Sequence, residues 1–182
     1  MRRLLFVLLG ACLAALQGST LQQLSLDDMI QKSTSIVRGK AHLTSSSFRG
    51  PVIYMHYQVQ VSEVYKGLPI SQWDVAVLGG LSNGVRQSFA GAPTLTEGQD
   101  YVLFLWTSKT GLTQVIGLSQ GLFSVTPDAA GQLMVVRAAS TEQMLNAQGQ
   151  PVTDSNIQLR LSDLRSRIQM SLAAGVNPGV NP

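Results

Sequence analysis

The chain has 182 residues, of which 45% are hydrophobic and 13% charged, and a formal net charge of +3. That balance excludes a largely disordered chain and suits one domain with a core of its own. The 17 Gly, 7 Pro and few charged side chains point to many turns and a β-rich chain, and away from a helical bundle.

The first segment reads as a secretory signal over residues 1–18. Met1-Arg2-Arg3 is a short basic start, and Leu4 to Leu16 is an apolar run too short to span a bilayer. Ala14, Ala15 and Gly18 supply small residues for cleavage between Ala15 and Ser19. Without Arg2 and Arg3, 11 basic side chains face 10 acidic ones, so the mature charge is +1. No argument for nucleic-acid binding survives that subtraction. The only cysteine, Cys12, lies in the same segment, so the mature chain has no disulfide and relies on packing. A rival reading takes Leu9-Gly10-Ala11-Cys12 as a lipoprotein box, with a lipid on the Cys12 thiol; the apolar stretch before it is then only about six residues, shorter than the usual ~7–15. Either reading places the protein outside the cytoplasm, secreted or periplasmic.

A single domain is expected over residues 21–175. Ser25-Leu26-Asp27-Asp28 has capping-box spacing and opens a short helix to about residue 32 or 33. Val37, Gly39, Ala41 and Leu43 then alternate with polar residues as a half-buried strand. Ser45-Ser46-Ser47 to Gly50-Pro51 reads as a loop. A long strand follows from Ile53, with a bulge near Ser62 and Glu63 where the apolar phase slips. Lys66-Gly67-Leu68-Pro69 ends it, and Trp73, Val75 and Val77 mark the next strand, before a loop holding Gly79, Gly80, Gly84, Gly91 and Pro93.

The unbroken apolar run Tyr101 to Trp106 should be the most buried strand. Short strands are expected at 114–118, 121–125 and 133–136, and a brief alternation at Ile157, Leu159 and Leu161. Ser162 then caps a helix with Leu164, Ile168 and Leu172 at four-residue spacing and Gly175 at its stop. Residues 176–182 repeat Val-Asn-Pro and read as a disordered tail. The expected fold class is mainly β: a small antiparallel barrel with a short N-terminal and a longer C-terminal helix.

Several markers occur in order: Ser25-Leu26-Asp27-Asp28, Ile36-Val37-Arg38-Gly39, Val64-Tyr65-Lys66-Gly67, Leu78-Gly79-Gly80, Gly91-Ala92-Pro93, Glu97-Gly98, and Gly117-Leu118-Ser119-Gln120-Gly121. Their order resembles that of a family of uncharacterised secreted bacterial proteins. The opening helix, the following strand and the long strand ending in Lys66-Gly67 also resemble the netrin-like and tissue-inhibitor-of-metalloproteinase barrels, of oligonucleotide-binding (OB) type. That resemblance implies an OB-type barrel and a metalloprotease as partner. It does not carry over the inhibitory chemistry, which needs a free N-terminal cysteine that this chain lacks after processing.

Catalytic material is sparse. His42 and His56, the only histidines, fall on the polar phase of neighbouring strands, where two imidazoles need a third ligand to hold zinc. Neither strand offers one on that phase. The Gly117 to Gly121 segment lacks the spacing of a nucleophile elbow; its glycines suit tight turns, and Gln120 suits a bond to backbone. Asp27 and Asp28 fit the first turn of a helix. No phosphate loop, dinucleotide fingerprint or calcium loop is present. The expectation is a non-enzymatic exported binding domain, without cofactor or metal, engaging an extracytoplasmic protein. Its candidate binding residues are Gly79, Gly80, Pro93 and Gln120. The alternatives are a metalloprotease-inhibitor-like module acting through the 79–93 loop, and a hydrolase or metal-dependent enzyme using His42 or His56.

Overall fold

The computed structural model describes residues 20–176. The expected signal peptide at 1–18, Cys12 and residues 177–182 of the expected tail lie outside them. The opening helix forms as the capping box dictates: α1 spans Leu26–Lys32, with the Ser25 hydroxyl accepting from the Asp28 amide and the Asp28 carboxylate accepting from the Ser25 amide. At its other end the Lys66 ammonium donates to the Ile30 and Gln31 carbonyls, at 2.7 and 2.8 Å. The Lys66-Gly67 marker is therefore the helix's C-terminal clasp.

β1 (Thr20–Gln22) precedes α1, and β2 (Ser35–Arg49) follows it. β2 pairs antiparallel with β3 (Val52–Lys66), and the register skips opposite Ser62, where the bulge was expected. The Ser45-Ser46-Ser47 segment is strand, not loop: it stays on the ladder opposite His56, Met55 and Tyr54, and a bulge at Thr44 absorbs the change of register. Cross-strand partners outweigh the turn preference of serine here. β4 (Gln72–Leu78) adds to β3. The stretch expected as a loop then contains a small hairpin, β5 (Gly80–Ser82) with β6 (Val85–Gln87).

β7 (Asp100–Thr107) is followed by β8 (Thr113–Val115), a 3-10 turn at Leu118–Gly121, β9 (Leu122–Pro127), β10 (Leu133–Arg137), β11 (Gln143–Leu145), β12 (Pro151–Val152) and β13 (Ile157–Arg160). The last helix, α2, runs over Leu161–Val176, beginning one residue before Ser162 and passing Gly175 by one. The main sheet has the order β13-β10-β9-β7-β2-β3-β4, with β8 on the free length of β7. β1, β11 and β12 form a separate three-stranded sheet.

The expected barrel is corrected by this topology. Among the described residues the ladder is open, because its outer strands β13 and β4 pair with nothing beyond them and no pairing joins the two ends. The OB-type and netrin-like architecture therefore does not describe this chain, which is an open antiparallel sheet with two helices on one face. Sequence periodicity reports which residues point inward on each strand, but says nothing about whether the first and last strands meet.

Burial follows the alternation of β7. Val102 and Phe104 face α1 and α2 in a cluster with Met29, Ile30, Ile36, Phe123, Val125, Val135, Leu164 and Ile168. Tyr101, Leu103 and Leu105 face the opposite way, into a second cluster with Val37, Ala41, Tyr57, Val59, Val75, Val77, Leu95 and Val115. A strand covered on both faces must be apolar throughout, which explains the run from 101 to 105. Trp106 is the exception at 45% exposed.

Candidate functional site

The candidate residues divide between two places. Gln120 is 2% exposed, and its amide is spent on backbone: Oε1 accepts from the Leu24 N–H at 2.8 Å and Nε2 donates to the Gln22 carbonyl at 3.0 Å. It ties the chain entering α1 to the 3-10 turn. Gly117 (φ 61°) and Leu118 (φ 59°) both adopt left-handed conformations before it, and a Cβ on Gly117 would come within 2.8 Å of Leu24. Gln120→Ala leaves the part-buried Leu24 N–H and Gln22 carbonyl without their partner. We expect a loss of roughly 1–3 kcal/mol, with faster hydrogen exchange at Leu24, measured by urea denaturation and exchange mass spectrometry.

Gly79, Gly80 and Pro93 do come together, at a depression of about 280 Å³ lined also by Met55, Leu78 and Phe89. Gly79 (φ 100°) and Gly80 (φ 120°) reverse the chain after β4, and a Cβ on Gly80 would lie 2.7 Å from both Met55 and Ser46. Only glycine permits that turn and that approach. The reversal carries the β5–β6 hairpin across the far end of the β2–β3 pair. Gln87 secures it there, accepting from the Ile53 N–H at 2.7 Å and donating to the Pro51 carbonyl at 2.9 Å. Arg49 donates to the Thr110 hydroxyl at 3.1 Å, so the turn after β7 borders the same end.

This end of the molecule exposes large apolar side chains. Leu43 and Phe48 on β2, Leu81 and Val85 on the small hairpin, and Phe89 beside the depression are each between 38 and 53% exposed. Leu43 and Phe48 sit opposite Tyr57 and Ile53 on the β3 ladder, with Ser46 opposite Met55 between them. They therefore flank the place where Gly80 crosses. The cations here, Arg49, Arg86 and Lys109, are exposed and form no salt bridge among the described residues. Segments 43–57, 75–96 and 105–118, which build this end, contain no Asp or Glu. The glycine turn is marked in the sequence but the patch is not, because Phe48 and Leu81 fall in segments expected as loops and Leu43 alone reads as an inward strand position.

The histidines share the polar face of the β2–β3 pair, each with its own carboxylate from elsewhere in the chain. His42 Nδ1 lies 2.6 Å from Glu97, whose other oxygen accepts from the Leu43 N–H at 2.9 Å. The Leu43 amide, then the His42 ring, hold the Glu97 carboxyl below the usual range. His56 Nδ1 lies 3.2 Å from Asp74 on β4. Among the described residues, no group of three or more His, Cys, Asp or Glu is placed to hold a metal ion.

Two other concavities have internally paired polar groups. One of about 340 Å³ contains Arg38, which bonds Asp100 at 2.7 Å and Glu63 at 2.8 Å. The other, about 540 Å³ between α1 and α2, is rimmed by the Arg167–Asp27 pair and by Gln31 bonded to Ser171. Among the described residues, no helix is long and apolar enough to cross a membrane.

Compared with known proteins, the chain matches no family model, no curated protein and no solved structure. The ordered markers thus gain no family membership from these comparisons. Within this fold they are joints: the α1 cap and clasp, the Gly79-Gly80 reversal, the Glu97 anchor on β2 and the Gln120 tie.

Proposed function

We propose that this is an exported, non-enzymatic binding domain that docks on an extracytoplasmic protein through the end built from the β2–β3 tip and the β5–β6 hairpin. The observation that carries this reading is that Leu43, Phe48, Leu81 and Phe89 are all exposed on the segments that build this end, with Phe89 lining the depression and Leu81 opposite the lining residue Arg86 on the small hairpin. Scattered apolar residues are normal on a protein surface, whereas a grouped patch marks an interaction site. Export rests on the basic start and apolar run of residues 1–18. Protease inhibition loses its motive with the barrel resemblance, and the 79–93 loop remains as part of the docking end.

Formaldehyde cross-linking in cells exporting the protein tests the reading. The wild type is expected to give a discrete heavier adduct with one protein. The Phe48→Glu/Leu81→Glu variant is expected to lose it at an unchanged melting temperature, while Met170→Glu, far from the docking end on α2, keeps it. An adduct indifferent to the first variant but lost with Met170→Glu would refute the reading.

A further inference from the structure

Resting on that docking surface, the charges around it specify the partner further. We propose that the partner presents an acidic segment bearing one large apolar side chain, which enters the depression beside Met55, Leu78 and Phe89 while neighbouring carboxylates meet Arg49, Arg86 and Lys109. Two features carry this. The first is complementarity: among the described residues three cations at this end have no ion-pair partner, with Arg86 lining the depression, Arg49 bonded to the Thr110 hydroxyl and Lys109 next to Thr110 in sequence, and segments 43–57, 75–96 and 105–118 hold no acidic residue. Of the carboxylates bordering these segments, Glu97 is held by His42 and the Leu43 amide and Asp74 by His56, while Glu142 lies beside Gly91. An acidic partner is steered toward such a surface, and a basic one is repelled.

The second feature is shape. At about 280 Å³ the depression lies below the usual ~300–1,000 Å³ of small-molecule sites and suits a single anchoring side chain of the kind that dominates interface energetics. Its lining mixes apolar Met55, Leu78 and Phe89 with polar Gln87, Ser88 and Thr94, a mixture common at interface pockets. A bilayer would be met by a protruding apolar wedge and a longer basic run. The concavity and the small number of cations favour a protein segment.

A displayed random-peptide library panned against the full exported protein tests this. Selected peptides are expected to be enriched in Asp and Glu flanking Trp, Phe or Leu. Their affinity should fall at least about tenfold with Arg86→Glu/Lys109→Glu or with Leu81→Glu, and should weaken as salt rises. Adding Arg49→Glu to the charge-reversal pair should turn the selection toward Lys- and Arg-bearing peptides. Peptides that need Leu81 but show no acidic enrichment would overturn the inference and leave the docking surface standing. Peptides indifferent to both Leu81→Glu and Phe48→Glu, or no selection above background, would count against both. Phosphatidylglycerol vesicles form the third arm. Binding to them that is lost on charge reversal, without acidic peptides in the selection, would make this end a membrane contact and overturn the inference.

Discussion

Phe104→Ala is expected to cost about 3–5 kcal/mol, the range for truncating a fully buried aromatic. Phe104 is 0% exposed and lies where the sheet meets both helices, its ring 5.5 Å from that of Phe123. Removing it leaves a cavity among Ile36, Phe123 and the helix residues Met29, Ile30, Leu164 and Ile168, which share its cluster. Fixed backbone on the ladders to β2 and β9 limits how far that cavity can collapse. For a domain of this size the melting temperature should fall by roughly 6–20 °C, taking about 2–4 °C per kcal/mol. Leu103→Ala, on the other face of the same strand, should cost about 2–5 kcal/mol. A loss below about 1 kcal/mol at Phe104 would mean that the helices do not pack on this face as described.

A comparable loss is expected from Asp154→Asn. Arg137 and Asp154 form a two-pronged pair at 2.8 Å on each prong, with side chains 7% and 3% exposed. The Ser140 amide donates to the same carboxylate, and Arg137 also donates to the Ser155 carbonyl. Together these bonds fasten the 137–142 stretch to the segment leading into β13. Breaking a buried pair on one side strands the other charge, at about 3–5 kcal/mol; replacing both residues with apolar ones is expected to cost less.

The same pair gives a pH dependence with a defined sign. Burial pushes the Asp154 carboxyl up, but the Arg137 guanidinium and the Ser140 and Ser155 amides outweigh it and hold it below the usual carboxylate range. A carboxyl depressed in the folded state contributes fully above its unfolded value of ~3.9. That contribution is lost as pH falls through the lower, folded value. Urea denaturation of wild type and Asp154→Asn should therefore differ most near neutrality and converge under acid conditions. A gap that is constant across pH would contradict the pairing.

The local parts of this structure were legible in the chain and the long-range parts were not. The capping box at Ser25 and Asp28, the bulge at Ser62 and the doubly buried run from Tyr101 to Leu105 are set by spacing along a few residues, so sequence periodicity finds them. β1, β5, β6, β11 and β12 are two or three residues long, too short for any period to show. β1 finds its partner β11 more than a hundred residues away. The barrel was inferred from many short strands and was wrong, because closure depends on whether β13 and β4 meet. The candidate site was half legible. Gly79, Gly80 and Pro93 mark its turn, whereas Gln120 belongs to a buried tie on β1. The carboxylates beside His42 and His56 come from Glu97 and Asp74, outside the strands that carry the histidines.

The docking surface is tested most directly by site-specific photo-cross-linking in cells that export the protein. A photoreactive residue is placed in turn at Leu81, Phe89, Leu133 and Met170, all exposed apolar positions. The first two lie at the docking end, and the last two on β10 and α2. A discrete adduct with one and the same protein is expected from 81 and 89, and none from 133 or 170. An adduct from 133 or 170 with none from 81 and 89 would contradict the docking surface.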